Sequence, residues 1–300
     1  MRIISLKSNI KILFFTPHAD DIELGVPFMY LEALRLGNQL IEVIMTGNEY
    51  GTLRDEFKGK RLRKIREFEL LKANSVFKNA SNNRIKVIRM GFIDGHLPLN
   101  KDSLEKVINL INKEKPMIIF APDPWYSQDF HSDHLNTGRL VYFSLKNGSI
   151  KFRPKAVFYY YSSKTNYYIQ CRWYDFKIIE NAIKQYKSQY SPIECKIIIN
   201  FYKKLSILRH FLETGKFSES FRKQNCNRKG IPLAPKIFTN MSFRERIIYY
   251  LFSNATIRGF VKFYNLSPKK IGLEINYNTS DMLKSKDKRY EFIYQTKNRN

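Results

Sequence analysis

The chain has 300 residues and a hydrophobic fraction of 43%, enough for one large α/β domain or for a domain with an appendage. Its 52 Lys and Arg residues against 27 Asp and Glu residues give a net charge of +25, which indicates an anionic partner unless biased composition merely supplies solvated lysines. The three cysteines, Cys171, Cys195 and Cys226, are far apart, odd in number and not in a C-x-x-C spacing, which argues against a disulfide framework or a cysteine zinc site and favours a reducing compartment.

The sequence shows neither a membrane-spanning pattern nor a signal-peptide pattern. No stretch has the roughly 20 uncharged apolar residues that a membrane-spanning helix needs, and Lys7 and Lys11 interrupt the apolar core of any signal peptide. We therefore expect a cytoplasmic protein. One basic segment, residues 246–264, is either an interfacial helix that makes peripheral membrane contact or an ordinary helix packed on the domain.

Short apolar runs alternate with helical patterns through the first half of the chain. Strands are predicted at 11–16, 40–45, 86–90, 117–120 and 156–160. Helices are predicted at 26–36 and 59–77, from a cap at Asp102 or Ser103 to Lys113, and from the H-S-D-H loop to about Leu145. This alternation indicates βαβ units, and hence a Rossmann-like α/β fold with a mostly parallel sheet flanked by helices.

The helix at 59–77 carries a further prediction about its faces. The spacing of Ile65, Phe68 and Leu71 predicts an apolar stripe on one side, with Arg66 and Glu67 largely on the other. Beyond residue 160 the pattern weakens to one or two strands within 165–180 and helices at 180–190 and 195–212. After about residue 222 the composition becomes that of a linker. This predicts one domain at 1–222 and a basic C-terminal extension at 223–300. The extension is predicted to be partly helical, with its last twenty residues disordered.

Two polar clusters follow the first and fourth predicted strands. T-P-H-A-D-D-I-E-L-G occupies residues 16–25, and H-S-D-H places His131 and His134 on one face of a helix turn. Carboxyl ends of neighbouring parallel strands converge at a crevice. Two imidazoles and a carboxylate with one open position are typical of catalytic zinc, and Asp20 beside Asp21 is a candidate to take the proton of a bound water. Either cluster alone would also fit helix capping, and their conjunction favours a metal site.

P-H-A-D-D-I-E-L-G together with H-S-D-H-L-N-T-G resembles the zinc-dependent de-N-acetylases of the PIG-L, or LmbE-like, family, which includes the deacetylases of mycothiol and bacillithiol synthesis. The resemblance covers roughly residues 10–222, because short motifs at 46–51, 66–73, 93–97, 186–189 and 217–222 fall where the family has similar ones. Two positions depart from the family pattern: Ala19 stands in place of proline and Ile22 in place of an acidic residue. Neither departure removes a ligand or the base.

The resemblance implies roles for particular residues. It implies a zinc site, with other divalent metals left open, whose ligands are His18, Asp21 and His134. It implies that Asp20 is the general base and that His131 stabilises the oxyanion or acts as general acid, a division of roles that stays open. Arg66 and Asp94 match positions that contact the substrate sugar.

We therefore expect a metal-dependent hydrolase that removes an acetyl group from an N-acetylated amino sugar, such as an N-acetylglucosamine unit in a glycoconjugate. Whether that conjugate is free, lipid-linked, anionic or polymeric stays open. Two alternatives remain: a zinc amidase that acts on another acyl-amine substrate, and a catalytically inactive sugar- or anion-binding protein. Because no nucleic-acid-binding motif is recognisable, nucleic acid is not an expected partner.

Overall fold

An eight-stranded sheet forms the centre of the fold. The computed structural model describes residues 1–79, 85–129, 131–146, 149–226 and 263–276. The strands are β1 (Arg2–Ile3), β2 (Lys11–Thr16), β3 (Gln39–Thr46), β4 (Ile85–Phe92), β5 (Ile118–Pro122), β6 (Ala156–Tyr160), β7 (Tyr167–Gln170) and β8 (Ser218–Asn225). They lie in the order β1-β7-β8-β6-β5-β2-β3-β4, and only β8 runs antiparallel to its neighbours. This confirms the predicted mostly parallel α/β sheet.

Helices cover both faces of the sheet. They are α1 (Asp21–Gly25), α2 (Pro27–Arg35), α3 (Lys60–Asn79), α4 (Lys101–Glu114), α5 (Ser132–Lys146), α6 (Asp175–Ile183) and α7 (Pro192–Arg209). One apolar cluster joins the Phe14 face of β2 to α2, α3 and α6, and a second joins the Leu13 face to α4 and α5. Because alternate side chains of β2 point to opposite faces, its continuous apolar run is buried on both sides.

The strand order places a topological switch point at β2. From β2 the chain proceeds through β3 to β4 on one side, and it then crosses back to β5 and β6 on the other side. In open parallel sheets, ligands bind in the crevice outside the carboxyl ends of the strands at such a point. The loops that follow β2 and β5 therefore meet at one crevice.

The predicted orientation of α3 is wrong. Phe68 and Leu71 are 68% and 52% exposed, whereas Arg66 is only 1% exposed. The buried stripe of α3 mixes polar with apolar residues: Leu62, Arg66, Glu69, Leu70, Ala73, Asn74 and Phe77. Apolar periodicity does not reveal this stripe, because its polar members pair with side chains elsewhere in the fold: Arg66 with Asp20, Glu69 with Ser188 and Asn74 with Glu42.

Three helices illustrate further differences between the predicted and observed element boundaries. The helix predicted from residue 26 begins earlier and is split into α1 and α2. The cap of α4 is Asn100, whose side chain accepts from the backbone N–H of Ser103 at 2.9 Å in a capping box, rather than Asp102 or Ser103. The helix predicted at 180–190 lies at Asp175–Ile183.

The C-terminal part of the chain contributes a strand and a docked segment. Strand β8 continues through residue 222 to Asn225, and residues 263–276 contain a short 3-10 helix at Pro268–Ile271. Leu273 of this segment packs with Tyr50 and Ile93 in a small apolar cluster. The interfacial helix predicted at 246–264, except for its last two residues, and the predicted disordered end lie outside the described residues. Among the helices that the structure does describe, none has the length and apolar character to span a bilayer.

Candidate functional site

All seven site residues named from the sequence line one pocket at the carboxyl ends of β2 and β5. They are His18, Asp20, Asp21, Arg66, Asp94, His131 and His134. The first three follow β2, the two later histidines flank the start of α5, Arg66 lies on α3 and Asp94 lies in the turn after β4. The predicted convergence of the two sequence clusters is therefore present in the structure.

His18, Asp21 and His134 form a group that can hold a metal ion. His18 Nδ1 lies 3.2 Å from His134 Nε2 and 3.4 Å from Asp21 Oδ2, and His134 Nε2 lies 3.3 Å from Asp21 Oδ1. Ligand atoms on a tetrahedral zinc, each at about 2.0–2.1 Å from the ion, are themselves separated by roughly 3.3 Å. The donor set and its spacing therefore fit zinc.

The remaining ring nitrogens of both histidines face carboxylates. His18 Nε2 lies 3.1 Å from Asp94 Oδ1, and His134 Nδ1 lies 3.0 Å from Asp129 Oδ2. A carboxylate on the far nitrogen fixes the tautomer and the ring orientation of a metal-binding histidine. Asp94 and Asp129 thus leave the nearer nitrogen of each ring free to act as a ligand. Asp129 was not identified from the sequence, where it is one of several polar residues in the loop before α5.

The electrostatic field at this group favours a cation. Burial by itself lowers the pKa of His18, but Asp94, Asp133 and Asp21 outweigh burial and raise that pKa well above its usual value. Asp133 is held in place by the backbone, since its carboxylate accepts from Gly95 N at 2.6 Å and from Leu97 N at 3.1 Å. It also belongs to a second, overlapping metal-competent group with His18, Asp94 and His131. A bound cation would be stabilised by the same carboxylates.

Asp20 is buried beside the metal-competent group but makes different contacts. Its Oδ1 accepts from Arg66 Nη2 at 2.6 Å, and its Oδ2 accepts from the Tyr190 hydroxyl at 2.5 Å. Burial raises the pKa of Asp20, yet Arg66 and the Tyr190 hydrogen bond overcome this effect and hold the pKa below its usual value. Asp20 is therefore an ionised carboxylate at neutral pH, as a general base must be.

His131 lines the same pocket, with its ring centroid 4.8 Å from that of His18. Its Nδ1 accepts from the backbone N–H of Asp133 at 3.1 Å, and its Nε2 lies 2.6 Å from the hydroxyl of Tyr264. Burial lowers the pKa of His131 to about 4. The ring is therefore neutral at pH 7. Because a nitrogen that accepts carries no proton, the proton of the neutral ring is on Nε2.

Two residues of the 46–51 motif accept hydrogen bonds from the loops that form the site. The Asn48 side chain accepts from Ala19 N at 2.8 Å, and Glu49 accepts from Asp94 N at 3.0 Å. These bonds tie the loop after β3 to the loops that carry His18 and Asp94. Tyr190 and Tyr264 were missed from the sequence. Tyr190 directly follows the 186–189 motif, which is a weak signal, whereas nothing in the sequence connects Tyr264 with the histidines.

Comparison with known proteins is consistent with this geometry. A family model described as PIG-L: GlcNAc-PI de-N-acetylase matches residues 13–143. The diacetylchitobiose deacetylase of Thermococcus kodakarensis is 27% identical over 172 residues, which covers 53% of this chain and 62% of that protein. The match thus spans about three-fifths of the length of this relative.

Solved structures show the same fold. An N,N'-diacetylchitobiose deacetylase from Pyrococcus horikoshii superposes with a TM-score of 0.64 at 24% identity, over 76% of this chain and 87% of that chain. A conserved protein from Thermus thermophilus gives a TM-score of 0.59 at 20% identity, over 78% of this chain and 100% of that chain. The PIG-L family model thus matches this chain from β2 into α5, and this part of the chain is similar to the PIG-L, or LmbE-like, family.

Proposed function

We propose that this protein is a metal-dependent deacetylase of N-acetylated amino sugars. The observation that carries the proposal is the convergence of His18, Asp21 and His134 at zinc-like spacing, with the ionised Asp20 beside them in the same pocket. The similarity to proteins named diacetylchitobiose deacetylase supports the sugar substrate. Zinc is the metal that two imidazoles and one carboxylate fit best, and another divalent ion could replace it.

The chain's own residues supply the proton transfers. Zinc held by His18, Asp21 and His134 would polarise the acetamide carbonyl and lower the pKa of water to about 7. Asp20 accepts the proton of the attacking water and returns it to the departing amine. In the substrate-free site the Nε2 proton of the neutral His131 points to the Tyr264 hydroxyl, and with substrate bound this proton would turn to the oxygen that becomes negative during the attack.

Arg66 and Asp94 have structural partners that explain their presence in the pocket. Arg66 holds Asp20 in its ionised form, and Asp94 orients the ring of His18. Both side chains also line the pocket, so the sugar contacts expected from the family resemblance stay a prediction. Since Arg66 Nη1 and Nε have no hydrogen-bond partner in the described part of the chain, Arg66 retains donors for a substrate hydroxyl.

A second pocket supports a substrate that extends beyond the acetylated sugar. It adjoins the metal pocket through Leu24, Asp129 and Tyr161, which line both. Phe201 supplies an aromatic ring to this second pocket, and Ser220 supplies a buried hydroxyl that has no partner among the described residues. Aromatic faces beside polar groups suit a sugar ring. We therefore favour a glycoconjugate over a monosaccharide as the substrate.

The test is amine release by the purified, zinc-loaded full-length chain. The panel contains N-acetylglucosamine, N,N'-diacetylchitobiose, N-acetylglucosamine 1-phosphate and simple acyl amides without a sugar. We expect release from the sugars, its loss after chelation, and its return when zinc is restored. Release from the non-sugar amides alone would indicate a general amidase. Bound zinc without release from any compound would indicate a binding protein and would contradict the proposal.

A further inference from the structure

We propose that Tyr264 is a positioning residue of the active site and that its hydroxyl holds His131 and Asp94 in their working orientation. Tyr264 lies outside residues 13–143, which match the family model, and reaches the site from the C-terminal extension. It is therefore a contribution of this chain in addition to the matched domain. The catalytic consequence rests on the proposed function, whereas the structural consequence does not.

The directions of the hydrogen bonds around Tyr264 follow from the chemistry of the partners. The backbone N–H of Asp133 donates to His131 Nδ1, so the proton of the neutral ring is on Nε2 and points to the Tyr264 oxygen. The Tyr264 hydroxyl in turn donates to Asp94 Oδ1, because a carboxylate only accepts. The hydroxyl therefore accepts from one site residue and donates to another.

The same oxygen of Asp94 also faces His18. Asp94 Oδ1 lies 3.1 Å from His18 Nε2, the ring nitrogen that points away from the metal-competent group. Tyr264 thus links His131 to the carboxylate that orients His18. Removing the hydroxyl would leave the Nε2 proton of His131 without this acceptor and would relax Asp94. Loss of such a supporting partner typically costs 10- to 100-fold in activity or metal affinity.

Packing contacts hold the Tyr264 ring of the C-terminal segment in the site. Gly95 has a φ of +75°, and a Cβ atom built there would lie 2.4 Å from the Tyr264 ring, so only glycine allows the approach. The Tyr50 ring packs against Tyr264 with centroids 4.9 Å apart. Asn265 donates to both carboxylate oxygens of Asp55 at 3.2 and 3.0 Å. Contacts of the ring itself and of the next residue therefore hold Tyr264 in place.

The experiment compares Tyr264→Phe with a matched control, Tyr30→Phe, on α2. Both variants keep a buried aromatic ring and remove one hydroxyl, and the Tyr30 hydroxyl has no hydrogen-bond partner among the described residues. We expect Tyr264→Phe to lower kcat at least about tenfold while KM and zinc content change less than about twofold. Tyr30→Phe should keep the wild-type kcat, and thermal unfolding should show both variants folded.

A second readout does not depend on activity. The imidazole ¹⁵N shifts of His131 in the metal-free full-length chain should indicate a proton on Nε2, and they should change in Tyr264→Phe but not in Tyr30→Phe. Unchanged shifts together with an unchanged kcat would overturn the proposal. A higher kcat in Tyr264→Phe would also overturn it, because the hydroxyl would then obstruct the site. If the wild type deacetylates nothing, the proposed function fails, and the ¹⁵N shifts still decide the role of Tyr264.

Discussion

Replacing Arg66 with methionine should strongly destabilise the protein. Arg66 is 1% exposed and Asp20 is 3% exposed, and they form a 2.6 Å ion pair. Methionine fills much of the same space but leaves the Asp20 carboxylate buried with the Tyr190 hydroxyl as its remaining side-chain partner. Removing one partner of a buried ion pair typically costs about 3–5 kcal/mol. At about 2–4 °C per kcal/mol, the melting temperature should fall by roughly 10 °C.

The pH dependence of the same variant should move in a known direction. Arg66 helps to hold the pKa of Asp20 below its usual value. Without the guanidinium, burial prevails and this pKa rises. The wild-type carboxylate stabilises the fold above its unfolded-state pKa and loses this effect as the pH falls through its folded-state pKa. Because the pKa of Asp20 is higher in Arg66→Met, this base is protonated at a higher pH. As the pH is lowered, the deacetylation rate of the variant should therefore begin to fall at a higher pH than that of the wild type.

Thermal and urea unfolding of four proteins measure this effect. The wild type is compared with Arg66→Met, with the double variant Arg66→Met and Asp20→Leu, and with Lys64→Met, which removes an exposed charge from the same helix. Lys64→Met should change the free energy of unfolding by less than about 0.5 kcal/mol. The double variant should be more stable than Arg66→Met, because no charge stays buried alone. A loss in Arg66→Met no larger than in Lys64→Met would refute the buried ion pair.

Three other predictions concern the core, the outer face of α3 and the second pocket. Burial raises the pKa of Glu42 to about 7, so its contribution to stability is present at low pH and is lost as the pH rises through 7. The free energy of unfolding of Glu42→Gln, measured by urea titration relative to the wild type, should therefore increase by roughly 2–3 kcal/mol between pH 5 and pH 8. Phe68→Lys should leave the melting temperature within about 2 °C of the wild type, because Phe68 is 68% exposed, and a large drop would favour the predicted apolar stripe. Phe201→Ala should lower kcat/KM for N,N'-diacetylchitobiose about tenfold, the equivalent of about 1.4 kcal/mol, and leave N-acetylglucosamine turnover unchanged; equal effects on both sugars would remove the second pocket from substrate binding.

The sheet could be predicted because its signal is local. Each central strand is a short apolar run bounded by polar or proline residues, as at Ile12–Phe15 before Thr16-Pro17 and at Ile118–Ala121 before Pro122. Strands separated by helical stretches leave few topologies other than a parallel sheet. The antiparallel insertion of β8 between β6 and β7 has no such local signal, because strand order depends on long-range pairing.

The metal-competent group could be predicted for a similar reason. Its donors lie in two short motifs, each directly after a strand, and the switch point of the sheet brings those strand ends together. Tyr264 could not be predicted, since it is 133 residues beyond His131 and reaches the site through tertiary packing. The face of α3 was predicted wrongly because Arg66 is buried by pairing with Asp20, which hydrophobic periodicity does not detect.

The most direct test of the central claim measures zinc content and deacetylation on the same protein samples. The wild type, Asp20→Asn and Asp21→Ala are loaded with zinc, dialysed and assayed with N,N'-diacetylchitobiose. We predict one tightly bound zinc per chain in the wild type and in Asp20→Asn, with turnover reduced about 10²- to 10⁴-fold in Asp20→Asn. Asp21→Ala should lose both zinc and turnover. Full turnover in Asp20→Asn, or zinc retained in Asp21→Ala with wild-type affinity, would contradict the account.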